Sequence, residues 1–192
     1  MIAGLAAVAV VGSGAIAWHA IPYVPPTGQA AQPASVTRET AYLARYWQHP
    51  NPAYGNFGGT DCMNFTSQAL HARGWPMTAA WGTSTVLGRH AATSTWVSST
   101  AMMHWLTGRP DLATPLDDAQ RDRVAVGDVV QFDWDASGDR DHTAVVSRID
   151  DSGTTPVIEV AEHSPAGRYD SVDALIAAHG GHGVIHYWHL LQ

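Results

Sequence analysis

An α+β fold, with helices first and an antiparallel sheet after them, is what this sequence predicts, and three observations predict it. Apolar residues recur at helical spacing between Thr37 and Leu70, and β-branched runs of strand length appear only after Val124. The turn-forming stretch Asp150-Asp151-Ser152-Gly153 then joins two of those runs as a hairpin. With 192 residues the chain can bury the core of one domain of ordinary size. Charged side chains make up only 14% and the formal net charge is −7, so a nucleic-acid partner held by a basic surface is excluded.

The elements follow in order. Met1 to Ala17 is continuously apolar or small, and no charged side chain precedes Arg38. Residues 1–21 therefore read as a signal peptide or membrane anchor, with Ala15-Ile16-Ala17 as a small-x-small cleavage site, although the usual basic n-region is missing. The expected location is extracellular or in the cell envelope, with membrane contact only through this segment. Pro22, Pro25, Pro26, Gly28 and Pro33 make 22–35 an extended linker, and a folded domain is expected over 36–192. Thr37 to Trp47 predicts a first helix that stops before His49-Pro50-Asn51-Pro52. Cys62, Phe65, Ala69 and Leu70 fall at i, i+3, i+7 and i+8 of an amphipathic second helix, which Gly74 ends. Between Thr78 and Pro115 a short helix at Ser99 to Leu106 is expected among loops. Strands are expected at Gly127–Trp134, His142–Ile149, Val157–Ala161 and Gly183–Leu190.

Cys62 is the only cysteine, so any cysteine chemistry is that of a free thiol. The glycine-rich approach Gly58-Gly59-Thr60-Asp61 sets it at a helix N-terminus. Unpaired N–H groups and a partial positive charge there stabilise a thiolate and can hold an oxyanion. A cysteine hydrolase also needs an imidazole to take the thiol proton and return it to the leaving amine, and a polar group to orient that ring. His142 opens an apolar strand directly after the polar loop 135–141, where a helix N-terminus can approach it. Asp61 reads as the N-cap of the Cys62 helix. Asn64, Ser67 and Gln68 read as ties to neighbouring loops. Asn56 is either a side-chain donor to an oxyanion or the asparagine that a turn requires.

Asp133-Trp134-Asp135-Ala136-Ser137-Gly138-Asp139 matches the first half of a calcium loop, but Ala144 stands where a bidentate glutamate is needed, so it reads as a polar hairpin loop. His179, His182, His186 and His189 invite a zinc-hydrolase alternative, which the interrupting glycines disfavour. No metal or cofactor is expected. The eight tryptophans could line a groove, but core positions suit most of them.

Several stretches together resemble a known family, the "Putative amidase domain" of bacterial exported proteins, within the papain-like cysteine amidases and cell-wall peptidases that include the CHAP domains. They are 51–77 with its Asp61-Cys62-Met63-Asn64-Phe65-Thr66-Ser67-Gln68 block, Trp96-Val97, 127–134, 141–146 and Val160-Ala161-Glu162-His163-Ser164. The resemblance implies a papain-like arrangement, with Cys62 as nucleophile and His142 as general base. The third group falls on His163 by analogy with cell-wall peptidases, or on Glu162 by analogy with other amidohydrolases; the family pattern favours His163. Neighbours on a strand face opposite ways, so only one of the two is expected to face His142. A monomer acting on an amide or peptide substrate, peptidoglycan among the candidates, is the expected function. A non-catalytic cell-wall binding module on the same fold is the rival reading.

Overall fold

The computed structural model describes residues 32–191, so the expected signal or anchor segment and the linker as far as residue 31 lie outside the described residues. Among the described residues, no helix is long and apolar enough to cross a membrane. The first helix, α1, spans Ala34–Tyr46 and begins two residues ahead of the predicted domain start, directly after Pro33, which caps it. A 3-10 turn at Gly58–Thr60 leads into α2, Asp61–Arg73, which ends at Gly74. With φ +128 and its N–H on the Leu70 and His71 carbonyls, Gly74 adopts the positive-φ conformation expected of a helix-ending glycine.

Next comes an exposed hairpin of β1 (Thr83–Val86) and β2 (Arg89–Ala92), then α3 (Ser94–Val97) and α4 (Ser99–Thr107). The remaining strands are β3 (Ala113–Asp117), β4 (Val129–Asp133), β5 (His142–Asp150), β6 (Val157–Glu162), β7 (Gly167–Ser171) and β8 (Val184–Leu190), with α5 (Val172–Ala178) between the last two. Strands β3 to β8 form one antiparallel sheet in the order β3-β8-β4-β5-β6-β7. The mixed α+β class is as predicted. The β1–β2 hairpin, α3, the two edge strands β3 and β7, and α5 were not predicted.

Alternation along the strands divides the interior. Val129, Trp188 and Leu190 pack with Met63 and Leu70 of α2 and Met102 and Leu106 of α4. Their strand neighbours Val130 and Tyr187 pack with Phe132, Val146 and Ile158, against Val172, Leu175 and Ile176 of α5. Leu43 of α1 joins Phe65 and Ala69 of α2 over Val145 and Ala161 of the sheet. The prediction of an amphipathic α2 is corrected by this packing. Every residue from Asp61 to Leu70 is buried, because the sheet covers one side and α1, α3 and α4 close over the rest. Asp61, Asn64, Ser67 and Gln68 find partners inside the protein, which offsets the cost of burying them, whereas the Thr66 hydroxyl is buried without one. At the far end of α2, Arg73 bonds Glu39 of α1 at 2.6 Å with both side chains buried. Gly127 passes so close that a Cβ there would lie 2.7 Å from that carboxylate.

Candidate active site

Cys62 occupies the second position of α2 and is 4% exposed. Thr60, the residue before the helix, makes no side-chain cap, and the N–H of Asp61 is taken by the Gly58 carbonyl of the preceding turn. Gly58 enters this turn at φ +64, a conformation that side chains with a Cβ seldom adopt.

His142 is the first residue of β5, and its register opposite Phe132 of β4 sets it at the end of the sheet that α2 approaches. Its Nε2 lies 2.6 Å from Glu162 Oε2, with Glu162 1% exposed at the end of β6. That contact leaves Nδ1 as the ring nitrogen open to the Cys62 thiol, whose interaction with the ring shifts both groups. Burial pushes the Cys62 thiol up, but the hydrogen bond and charge of His142, with backbone hydrogen bonds from Thr143 and Met63, hold it below its ordinary value. Burial pushes His142 down, yet its bonds to Cys62 and Glu162 win and raise it to about 9. Opposite shifts of this kind characterise a thiolate–imidazolium pair. The rings of Phe132 and Trp134 flank His142, with centroids 5.8 and 6.0 Å away.

The site differs from the sequence expectation at its third member. Glu162, the alternative, contacts His142, and the favoured His163 does not. His163 lies just past the end of β6 and turns to the other side, where its Nδ1 meets Asp61 Oδ2 at 2.7 Å and its Nε2 meets the Tyr46 carbonyl at 2.8 Å. Phe65 stacks on its ring, centroid to centroid at 3.9 Å. Strand alternation explains why two consecutive residues serve separate partners.

Asp61 is not the N-cap that the sequence suggested, since it is already the first residue of α2. Its Oδ1 accepts from the N–H of Phe57 at 2.9 Å and from Asn64 Nδ2 at 2.8 Å, which bends the preceding loop against the helix. Burial opposes ionisation of Asp61, but the bonds from His163, Phe57 and Asn64 hold its carboxyl below the ordinary value. Asn64 also donates to the Gly55 carbonyl and accepts from Trp96 Nε1 at 2.8 Å, so it acts as a tie, as expected. Ser67 joins the Trp96 carbonyl and Trp81 Nε1, and Gln68 accepts from the Tyr42 hydroxyl. Asn56 is exposed and accepts from the N–H of Gly58 at 2.7 Å, which is its turn-forming alternative.

The C-terminal histidines do not converge. His189 bonds Asp128 at 2.9 Å, while His179 stacks on Trp134 with centroids 3.9 Å apart. Among the described residues, the one group of potential ligand atoms close enough to share an ion is Asp133, Asp135, Asp139 and Asp141, and it includes no histidine. These carboxylates hold the loop itself: Asp133 accepts from the N–H groups of Ser137 and Gly138, and Asp141 from that of Trp134. The polar-hairpin reading accounts for them. Trp75, Trp81, Trp96 and Trp188 are buried core residues, which leaves little of a tryptophan-lined groove.

Comparison with known proteins sets this geometry in context. The chain is 28% identical over 134 residues to the uncharacterized protein YhbB of Bacillus subtilis (strain 168), covering 69% of this chain and 42% of that protein. It is also 28% identical over 113 residues to the uncharacterized protein YjcM of the same organism, covering 55% of this chain and 26% of that protein. The chain thus spans less than half the length of either relative. No solved structure matches it. Residues 34–187, which run from the start of α1 into β8, match the family model described as "Putative amidase domain", a description that suggests amide hydrolysis. The chain belongs to this family of amidase domains.

Proposed function

We propose that the protein is an exported cysteine amidase or peptidase of papain-like design, with Cys62 as nucleophile, His142 as general base and acid, and Glu162 as the group that orients His142. One observation carries this reading: at the N-terminus of a helix a buried thiol is held below its ordinary pKa by an imidazole whose Nε2 is hydrogen-bonded to a buried carboxylate. Glu162 takes one ring nitrogen and fixes the direction of the other toward sulfur, as the orienting acid of a catalytic triad does.

In the reaction, the Cys62 thiolate attacks an amide carbonyl carbon and a C–S bond forms. The first-turn N–H groups of α2 face the oxygen that becomes negative. As the C–N bond breaks, His142 passes its proton to the departing amine and an acyl thioester remains. A water then gives a proton to His142 and adds to the thioester, which releases the carboxylic acid and restores the pair. Cell-wall peptides are the proposed substrate class because the apolar first residues point to export. Incubation of the purified protein with muropeptides and simple amides tests the reading. Thiol-dependent, chelator-resistant amine release that Cys62→Ala abolishes is the expected result. Binding to sacculi without turnover would instead favour a non-catalytic module.

A further inference from the structure

Beside the proposed triad lies a second histidine–carboxylate pair that takes no part in the mechanism above. Asp61 directly precedes Cys62, and His163 directly follows Glu162, so each member adjoins a member of the proposed triad in the chain. Both are buried, and their contact spans 102 residues of sequence.

We propose that Asp61 and His163 form a positioning ion pair, which pins the start of α2 to the end of β6 and so sets Cys62 and Glu162 at the spacing that His142 bridges. This role rests on the functional reading above and deepens it. The charge on His163 follows from its partners. A backbone carbonyl can only accept, and the Asp61 carboxylate accepts too, so a ring with acceptors on both nitrogens carries two N–H groups. From α1 it meets the Tyr46 carbonyl, at the helix C-terminus where a cation is favoured. From α2 it meets Asp61 and the apolar face of Phe65, and from β6 its neighbour Glu162 turns away to His142. The pair leaves no net charge next to the thiolate. An unpaired Asp61 would place a negative charge one residue from Cys62 and oppose its ionisation.

The test uses Asp61→Asn and His163→Asn, both close in shape to the native side chains, and the double variant. The full protein is checked for folding by near-UV circular dichroism. Turnover of an amide substrate and the pH dependence of Cys62 alkylation by iodoacetamide are then measured. Each single variant is expected to lower kcat by about 10²-fold, with KM little changed, as a small misplacement of reacting groups does. The alkylation profile should move to higher pH in His163→Asn and return toward wild type in the double variant, which removes the uncompensated carboxylate. Folded single variants that keep the wild-type kcat and alkylation profile would overturn the positioning role alone. Loss of kcat with an unmoved profile would also overturn it. A wild-type Cys62 that alkylates like a free thiol would overturn the functional reading, and the positioning role with it.

Discussion

Two histidine–carboxylate pairs lie side by side in this protein, alike in almost every local respect. His142 meets Glu162 at 2.6 Å and His163 meets Asp61 at 2.7 Å, and all four side chains are buried. They differ in what holds the second ring nitrogen. In His142 it faces a thiol, which can give up a proton, whereas in His163 it faces the Tyr46 carbonyl, which cannot. Burial and a carboxylate partner therefore do not by themselves make a histidine a general base. In the proposed mechanism the first ring passes a proton to and from the reacting groups, and the second holds its own.

Substitutions that treat the two pairs alike are the way to break this comparison. The largest effect is expected for Cys62→Ala and His142→Ala, which should each cut amide turnover by about 10⁴-fold or more while the protein stays folded. Glu162→Gln should cost somewhat less, about 10²- to 10⁴-fold in kcat, because the thiol and ring remain but the ring loses its orienting anion. Its circular dichroism spectrum should stay native. Full turnover of Glu162→Gln would contradict the orienting role of Glu162. At the second pair the balance shifts toward stability. His163→Leu leaves Asp61 buried without its cation and should cost about 3–5 kcal/mol in urea unfolding.

A finer contrast comes from pH. The reactive ion pair requires Cys62 deprotonated and His142 protonated, so activity should rise through an acid limb below the ordinary thiol range and fall through an alkaline limb near 9. Folding stability carries the same sign at His142. Its folded value lies above the unfolded 6.5, so its contribution is complete below 6.5 and is lost as pH rises through about 9. Removing Glu162 should lower that alkaline limit, because one of the bonds that hold the proton on His142 is gone.

Some of this arrangement was legible in the sequence. A glycine-rich turn, a lone cysteine and a terminating Gly74 marked α2 to within a residue, and the strand-opening position of His142 brought it within reach of that helix. The choice between Glu162 and His163 was not legible. Alternation says only that neighbours part company, while the face each one takes depends on register shifts between Val146 and Arg148 and between Val160 and Glu162. Asn64, Ser67 and Gln68 read as ties to neighbouring loops, but composition does not reveal that those ties lie buried inside the protein. The β1–β2 hairpin has almost no buried residue, so it leaves no apolar alternation to detect. Edge strand β3 carries Pro115, a residue that argues against a central strand and says little about an edge one.

The central claim is that His142, held by Glu162, ionises Cys62. Its most direct test is the pH dependence of iodoacetamide alkylation in the wild type and in His142→Ala. The account predicts a wild-type thiol that reacts well below the pH of a free cysteine, and a variant whose profile moves up to or beyond that of a free cysteine, since burial is then unopposed by the imidazole. Superimposable profiles for the two proteins would contradict it.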